Sequence, residues 1–271
     1  MNLSNIFSKR NKVLLRELVV TDFKLRYQNS ALGYLWSLLK PLFLFAIMYV
    51  VFVHFLRFGD GINHFAPMLL LGLVLWEFFT EATKQGMKSI TSKANLMRKI
   101  NFPKYIVVVS ATVSAFINLL LNLVVVFIFM LIDGVDFGWT ALLLPVTLIV
   151  LYAFTLGLTF LFAAISVKYR DIGYIWDVII RAMFYGTPIL YPLQRVVEFS
   201  ETAAQVLLLN PVAVIIQHAR YQLVGGDDVI LPQHLFANPI WIALPYVVIV
   251  VVGLLAIWFF RARQGKFAEE A

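Results

Sequence analysis

Asp177 and Arg181 stand four residues apart in the otherwise apolar stretch 172–191. On a helix that spacing puts both on one face, where they can form an ion pair. The other use for Arg181 is to meet an anionic head group in transit. Glu77 and Glu81 repeat the spacing near the end of an earlier apolar stretch, and basic residues of the polar segment that follows are their expected partners. Lys40, just before Pro41, is expected to snorkel to an interface. Acid–base catalysis needs two titratable groups held together, and Asp227, Asp228, His218 and His234 are the candidates. The run Gly225-Gly226-Asp227-Asp228 is better explained as a turn. The four histidines are scattered without metal-binding spacing. With no cysteine, disulfides, Cys-ligated zinc and a thiol nucleophile are excluded. Gly265-Lys266 lacks the glycine five residues upstream that a phosphate-binding loop needs, so the chain is not expected to hydrolyse ATP.

The elements that hold these residues belong in lipid. Across 271 residues, 61% are hydrophobic and only 14% charged, too few to cover a soluble surface. Six stretches have the length and apolarity of a spanning helix: 34–56, 62–80, 105–131, 139–167, 172–191 and 238–260. A seventh, 202–219, has Asn210-Pro211 in its middle. Proline removes a backbone donor and disfavours helix in the residue before it, so two short re-entrant or surface helices are expected there.

The net charge of +7 has to be read by position. Basic residues lie before the first stretch, between the second and third, between the fourth and fifth, and after the sixth, seventeen in all. The alternate side holds only Arg57, Arg195 and Arg220. The rich side should be cytoplasmic, which puts both termini there, and no removable signal peptide is expected. The chain thus divides into a cytoplasmic interfacial segment (1–33), a six-helix transmembrane domain (34–260) and a cytoplasmic tail (261–271).

Two cytoplasmic segments look purposeful. In 11–27, Leu14, Leu18, Thr21 and Leu25 share a face and Lys12, Arg16 and Arg26 oppose it, a pattern for a helix in the headgroup plane or a docking shelf. The segment 89–104 is basic, has Ile90, Leu96, Met97 and Ile100 for packing, and is longer than a simple connection needs. Aromatic residues make up 15% of the chain and crowd the first and fifth stretches, including Tyr34, Trp36, Phe43, Tyr49, Phe184 and Tyr185. Ring faces suit the C–H faces of sugars, and they equally suit lipid interfaces.

Several ordered motifs carry a family resemblance. These are Asp22-Phe23-Lys24-Leu25-Arg26-Tyr27, Ser30-Ala31-Leu32-Gly33-Tyr34-Leu35-Trp36 and Lys40-Pro41-Leu42. Asn101-Phe102-Pro103-Lys104, Tyr169-Arg170-Asp171-Ile172, Thr187-Pro188-Ile189-Leu190-Tyr191-Pro192 and Asn210-Pro211 follow in order. The chain resembles ABC-2 type permeases, in the branch exporting polysaccharides and polyol phosphates. That resemblance implies an all-α integral membrane protein with six transmembrane helices. It also implies an N-terminal amphipathic interface helix and re-entrant outer helices between helices five and six. It implies a homodimer in the cytoplasmic membrane with two copies of a separate ATPase, which carries the ATP and Mg. The cargo would be a lipid-linked glycan such as O-antigen, capsule or teichoic acid, with no nucleic-acid partner. Channel walls would come from Tyr34, Trp36, Lys40, Phe43, Tyr49, Arg181, Phe184 and Tyr185. ATPase coupling would fall to Arg16, Asp22, Lys24, Arg26, Lys93, Leu96, Arg98, Lys99, Arg170 and Asp171.

Two competing classes remain on the sequence. A membrane transferase acting on polyprenyl-linked sugars needs clustered carboxylates or histidines at one membrane face, and none are grouped. A secondary transporter is expected to carry several charges at mid-span, whereas the third, fourth and sixth stretches have none.

Overall fold

The computed structural model describes residues 9–27, 33–100, 102–226, 229–265 and 267. Asn101, Asp227, Asp228 and Lys266 lie outside the described residues, as do Ser30, Ala31, Leu32 and the side chains of Leu25, Arg26 and Tyr34. Every regular element described is a helix. In chain order they are α1 (Lys9–Tyr27), α2 (Trp36–Met48, continued by a π-helical segment Tyr49–Phe55), α3 (Phe65–Ser92) and α4 (Ala94–Lys99). Then come α5 (Tyr105–Ile132), α6 (Leu144–Ser166, entered through a 3₁₀ turn Trp139–Leu143) and α7 (Ile172–Tyr185). The shorter α8 (Leu193–Phe199), α9 (Glu201–Leu207), α10 (Pro211–Val224) and α11 (Pro232–Leu235) precede α12 (Pro239–Arg263).

Five stretches are long and apolar enough to cross a membrane: Trp36–Phe55, Phe65–Ser92, Tyr105–Ile132, Trp139–Ser166 and Pro239–Arg263. The pair α9 and α10, bent by 100° around Asn210-Pro211, makes a sixth only if counted as one span. The expected fifth stretch is shorter than its hydropathy suggests. α7 has 14 residues, which gives roughly 21 Å at the helical rise, less than a hydrocarbon core of about 30 Å. Gly186 ends it, and Pro188 removes the donor and the α-conformation needed to continue.

The second stretch departs the other way. α3 runs on to Ser92, about three turns past Thr80, because Thr83, Gly86, Met87 and Ile90 keep a buried face at helical spacing. Lys84 and Lys88 therefore ride on this helix and not in a loop. α3 is also the hub. In its apolar window 78% of residues are enclosed, against 11% for both α2 with its continuation and α12. α7 buries only Trp176 and Ile180. So α2, α7 and α12 present apolar surface outward, and α3, α5 and α6 form the packed centre.

Small residues set the closest crossings, as is usual between helices in lipid. α6 approaches α12 where a Cβ at Gly157 would sit 3.4 Å from the Gly253 Cα. α3 meets α6 at Gly86, which faces Thr159. Asn210 and Asn238 cap α10 and α12, each accepting from the backbone N–H two residues on, with proline at the first helical position.

The two ends of the bundle differ. One gathers α1, α4, the α6–α7 turn and the end of α12 around a cluster that includes Leu18, Ile90, Met97, Ile106, Ala163 and Phe260. The other gathers the loops before α3 and after α5 with α8 to α11. The seam of α1 departs from expectation at one position. Leu14, Leu15 and Leu18 pack inward, but Thr21 is exposed and Asp22 takes the next inward place.

Candidate functional site

Glu77, Glu81, Lys84 and Lys88 lie at steps of four, three and four along α3, so they share one face. Neighbouring helices answer them in turn. Lys40 of α2 donates to Glu77. Glu81 accepts from Asn118 Nδ2 of α5 and from Gln85 Nε2, both at 2.9 Å. Asn122 Nδ2 donates to the Asn118 carbonyl at 2.9 Å and to the Ser37 carbonyl of α2 at 3.3 Å. Lys84 pairs with Asp177 of α7 at 2.6 Å. The hub helix, long and apolar enough to span, is thereby tied to α2, α5 and α7 by polar groups that are costly there without partners.

Three contacts differ from or add to what the spacing predicts. Asp177 pairs with Lys84 across two helices and not with Arg181 on its own. Glu77 and Glu81 meet partners on α2 and α5, Lys40 and Asn118. Lys40 gains a partner that its place before Pro41 does not announce, Glu77 of α3. In each case an opposite charge or an amide on a neighbouring helix lies within hydrogen-bond reach.

A cavity of about 850 Å³ opens along this ladder. Trp36, Lys40, Phe43, Glu77, Lys84 and Asn118 are among its walls. It offers both signs of charge, an amide and aromatic faces. Tyr49 is not on it and rests tilted against Phe45 and His54. On α7, Phe184 rests 5.9 Å from Trp76 and 5.4 Å from Tyr185, while Tyr185 and Arg181 are exposed. α7 is joined to the cavity through Asp177 and Lys84.

At the basic end, Asp22 of α1 pairs with Lys93 at 2.6 Å, and Ser110 of α5 donates to the same carboxylate at 3.4 Å. Both charged side chains are mostly covered, so this pair staples α1 to the α3–α4 junction. Arg16, Lys24, Arg98, Lys99, Arg170 and Asp171 are exposed, and Leu96 is half-buried. They form a basic rim on α1, α4 and the turn before α7.

Residues 13–224 match the sequence profile described as ABC-2 type transporter. The chain belongs to that family. Similar proteins include an "O-antigen export system permease protein RfbA" of Myxococcus xanthus, 29% identical over 265 residues and covering 94% of each chain. Two proteins of that name from Klebsiella pneumoniae are each 26% identical, covering 92% of this chain and 91% of their own. As an ABC-2 membrane chain, the protein has its polar cavity between a central and a peripheral spanning helix.

The roles of several residues in the ABC-2 chain's polar framework are not legible from spacing alone. Asn118 and Asn122 are four apart in an otherwise uncharged stretch, a signal that was available. Lys84 lies past the apolar stretch 62–80, so only the extension of α3 to Ser92 puts it on a helix. Arg220, only 3% exposed, is enclosed among main-chain carbonyls, which no local pattern announces.

Proposed function

We propose that this chain is the membrane subunit of an ATP-driven exporter that carries a lipid-linked cell-surface polysaccharide, of O-antigen type, across the cytoplasmic membrane. The observation that carries this reading is similarity to O-antigen export permeases along more than nine-tenths of both chains. The cavity chemistry supports it: aromatic faces for sugar rings beside cations for an anionic linker. Two copies would face each other through the outward surfaces of α2 and α7, with both termini in the cytoplasm, and each would hold a separate ATPase subunit at the basic rim. Depleting the chain should strip the polymer from the cell surface and leave its lipid-linked form inside. Normal surface polymer after depletion would refute the cargo.

The coupling route follows from the staples. ATP binding by the partner subunits favours one of two states of the permease. Motion at α1 and α4 passes through the Asp22–Lys93 pair into α3. α3 then carries it to Glu77, Glu81 and Lys84, which hold α2 and α7. A small shift of the hub would therefore change the spacing of both peripheral helices.

Two expected results test this route. Reversing Arg98 and Lys99 to glutamate should cut copurification of the ATPase subunit by about tenfold, the effect of losing rim charges that steer and hold a partner. Lys99→Glu alone, at an exposed position, should weaken copurification in the same direction and leave thermal unfolding unchanged. Undiminished copurification and export would remove the docking role from α4. For the cavity, Lys84→Glu puts a third carboxylate on the face of Glu77 and Glu81 and leaves Asp177 facing a like charge. Export should fall about tenfold or more. Adding Asp177→Lys should restore most of it. A double variant no better than the single one would show that the α3–α7 pair does not matter to transport.

A further inference from the structure

A second cavity, of about 520 Å³, lies at the basic end among α1, α5, α6 and α12. That size falls within the usual range for small-ligand sites, roughly 300–1,000 Å³. Its walls are apolar, with Leu15, Ile106, Val109, Phe160, Ile257 and Phe260. Its mouth is cationic: Lys12 and Arg261 stand there, both exposed. Asn11 hydrogen-bonds the Tyr105 hydroxyl, which fixes the α1 side of the opening to α5.

The polarity changes in the same direction on two independent helices. On α5 the polar Tyr105 lies at the helix end and Val109 one turn deeper. On α12 the cationic Arg261 lies near the end and Ile257 one turn deeper. A ligand that fits has a negative head at the bundle end and an apolar tail running along the helices. That is the orientation of a phospholipid in the leaflet at this end. We propose that the slot holds one anionic phospholipid, its phosphate between Lys12 and Arg261 and one acyl chain against Val109, Phe160 and Ile257.

Charge, not tail burial, sets the preference. An acyl chain leaving bilayer for an apolar slot exchanges one apolar environment for another. Basic pockets between spanning helices at the cytoplasmic face are suited to anionic head groups. The site holds α1 to the bundle near the start of the helix, about two to three turns before the Asp22–Lys93 staple. The proposal needs a membrane but not the cargo reading, so it stands or falls separately.

The test is native mass spectrometry of the full chain in detergent, titrated with phosphatidylglycerol or phosphatidylcholine of matched chains. One phosphatidylglycerol should be retained about tenfold better than phosphatidylcholine. Lys12→Gln with Arg261→Gln should abolish that preference, while Lys12→Arg with Arg261→Lys, which keeps both charges, should retain it. Val109→Trp, which fills the slot, should remove the retained lipid with the mouth intact. Excess inorganic phosphate should not displace the lipid. An unchanged preference in the glutamine variant, retention in the tryptophan variant, or displacement by phosphate would each overturn the proposal.

Discussion

Arg220→Met is expected to destabilise the protein by about 3–5 kcal/mol, read as a lower midpoint of thermal unfolding and faster amide exchange in residues 187–224. The guanidinium of Arg220 is enclosed at the end of the bundle opposite the basic rim. Its Nε donates to the Met68 carbonyl at 3.2 Å, near the start of α3. One terminal nitrogen donates to the Pro188 carbonyl at 2.6 Å and to Gln217 Oε1 at 3.0 Å. The other donates to the Ile189 carbonyl at 2.8 Å. The Pro188 and Ile189 carbonyls are free to accept because proline and the irregular run after α7 leave them outside any helix ladder, whereas the Met68 carbonyl lies in the first turn of α3 and uses its second lone pair. A single side chain thus fastens α3, the segment after α7 and α10 together.

Hydrogen bonds from a charged donor contribute roughly 1.5–3 kcal/mol each, and stranded buried carbonyls add a penalty. Methionine restores volume but no donor, so most of the loss should appear. Lysine keeps the charge yet cannot spread donors over a planar fork, and an intermediate loss is expected. Gly72 provides a second handle. A Cβ there would lie 2.9 Å from a guanidinium nitrogen of Arg220. Gly72→Ala should destabilise the native chain and do little in the Arg220→Met background, a non-additivity typical of contacting residues. A loss under about 1 kcal/mol for Arg220→Met would mean that the outer helices are held by packing alone.

What could be read from the chain and what could not divides along a physical line. α5 and the Trp139–Ser166 stretch follow two long uncharged runs whose ends are marked by Lys104, Asp133 and Lys168. The break at Asn210-Pro211 follows from proline chemistry, and α9 and α10 do bend there by 100°. The segregation of basic residues is visible because it depends on loops, which alternate by necessity. Pairing is different. Spacing says which residues share a helix face, but not what that face meets. Glu81 finds Asn118 of α5, 37 positions away, and Arg220 finds Met68, 152 positions away. α7 misled for a related reason. Tyr185 to Tyr191 is apolar enough to span, and only the conformational demands of Gly186 and Pro188 end the helix.

The same division applies to the crossing of α3 and α6, where a local rule would favour alanine over Gly86. Glycine costs a helix about 1 kcal/mol relative to alanine. Yet a Cβ at Gly86 would overlap Thr159 Cγ2. Thr159 has little freedom to move, because its hydroxyl donates to the Thr155 carbonyl at 2.7 Å and the residue is fully buried. Gly86→Ala should therefore be destabilising overall, since overpacking costs about 1–3 kcal/mol. Thr159→Ser alone should also destabilise, by about 1 kcal/mol, because it empties the notch over Gly86. Together they should compensate: the new alanine methyl fills the space that the threonine methyl leaves, the serine keeps the hydroxyl, and the helix gains propensity. The double variant is expected to exceed the sum of the singles by about 2 kcal/mol in thermal unfolding, a coupling within the range for residues in direct contact. Additive effects would mean that α3 and α6 are not in contact at this level. The route proposed above from α4 to the cavity runs along that part of α3. A looser crossing should therefore uncouple ATP hydrolysis from export in Gly86→Ala, and the double variant should recover both together.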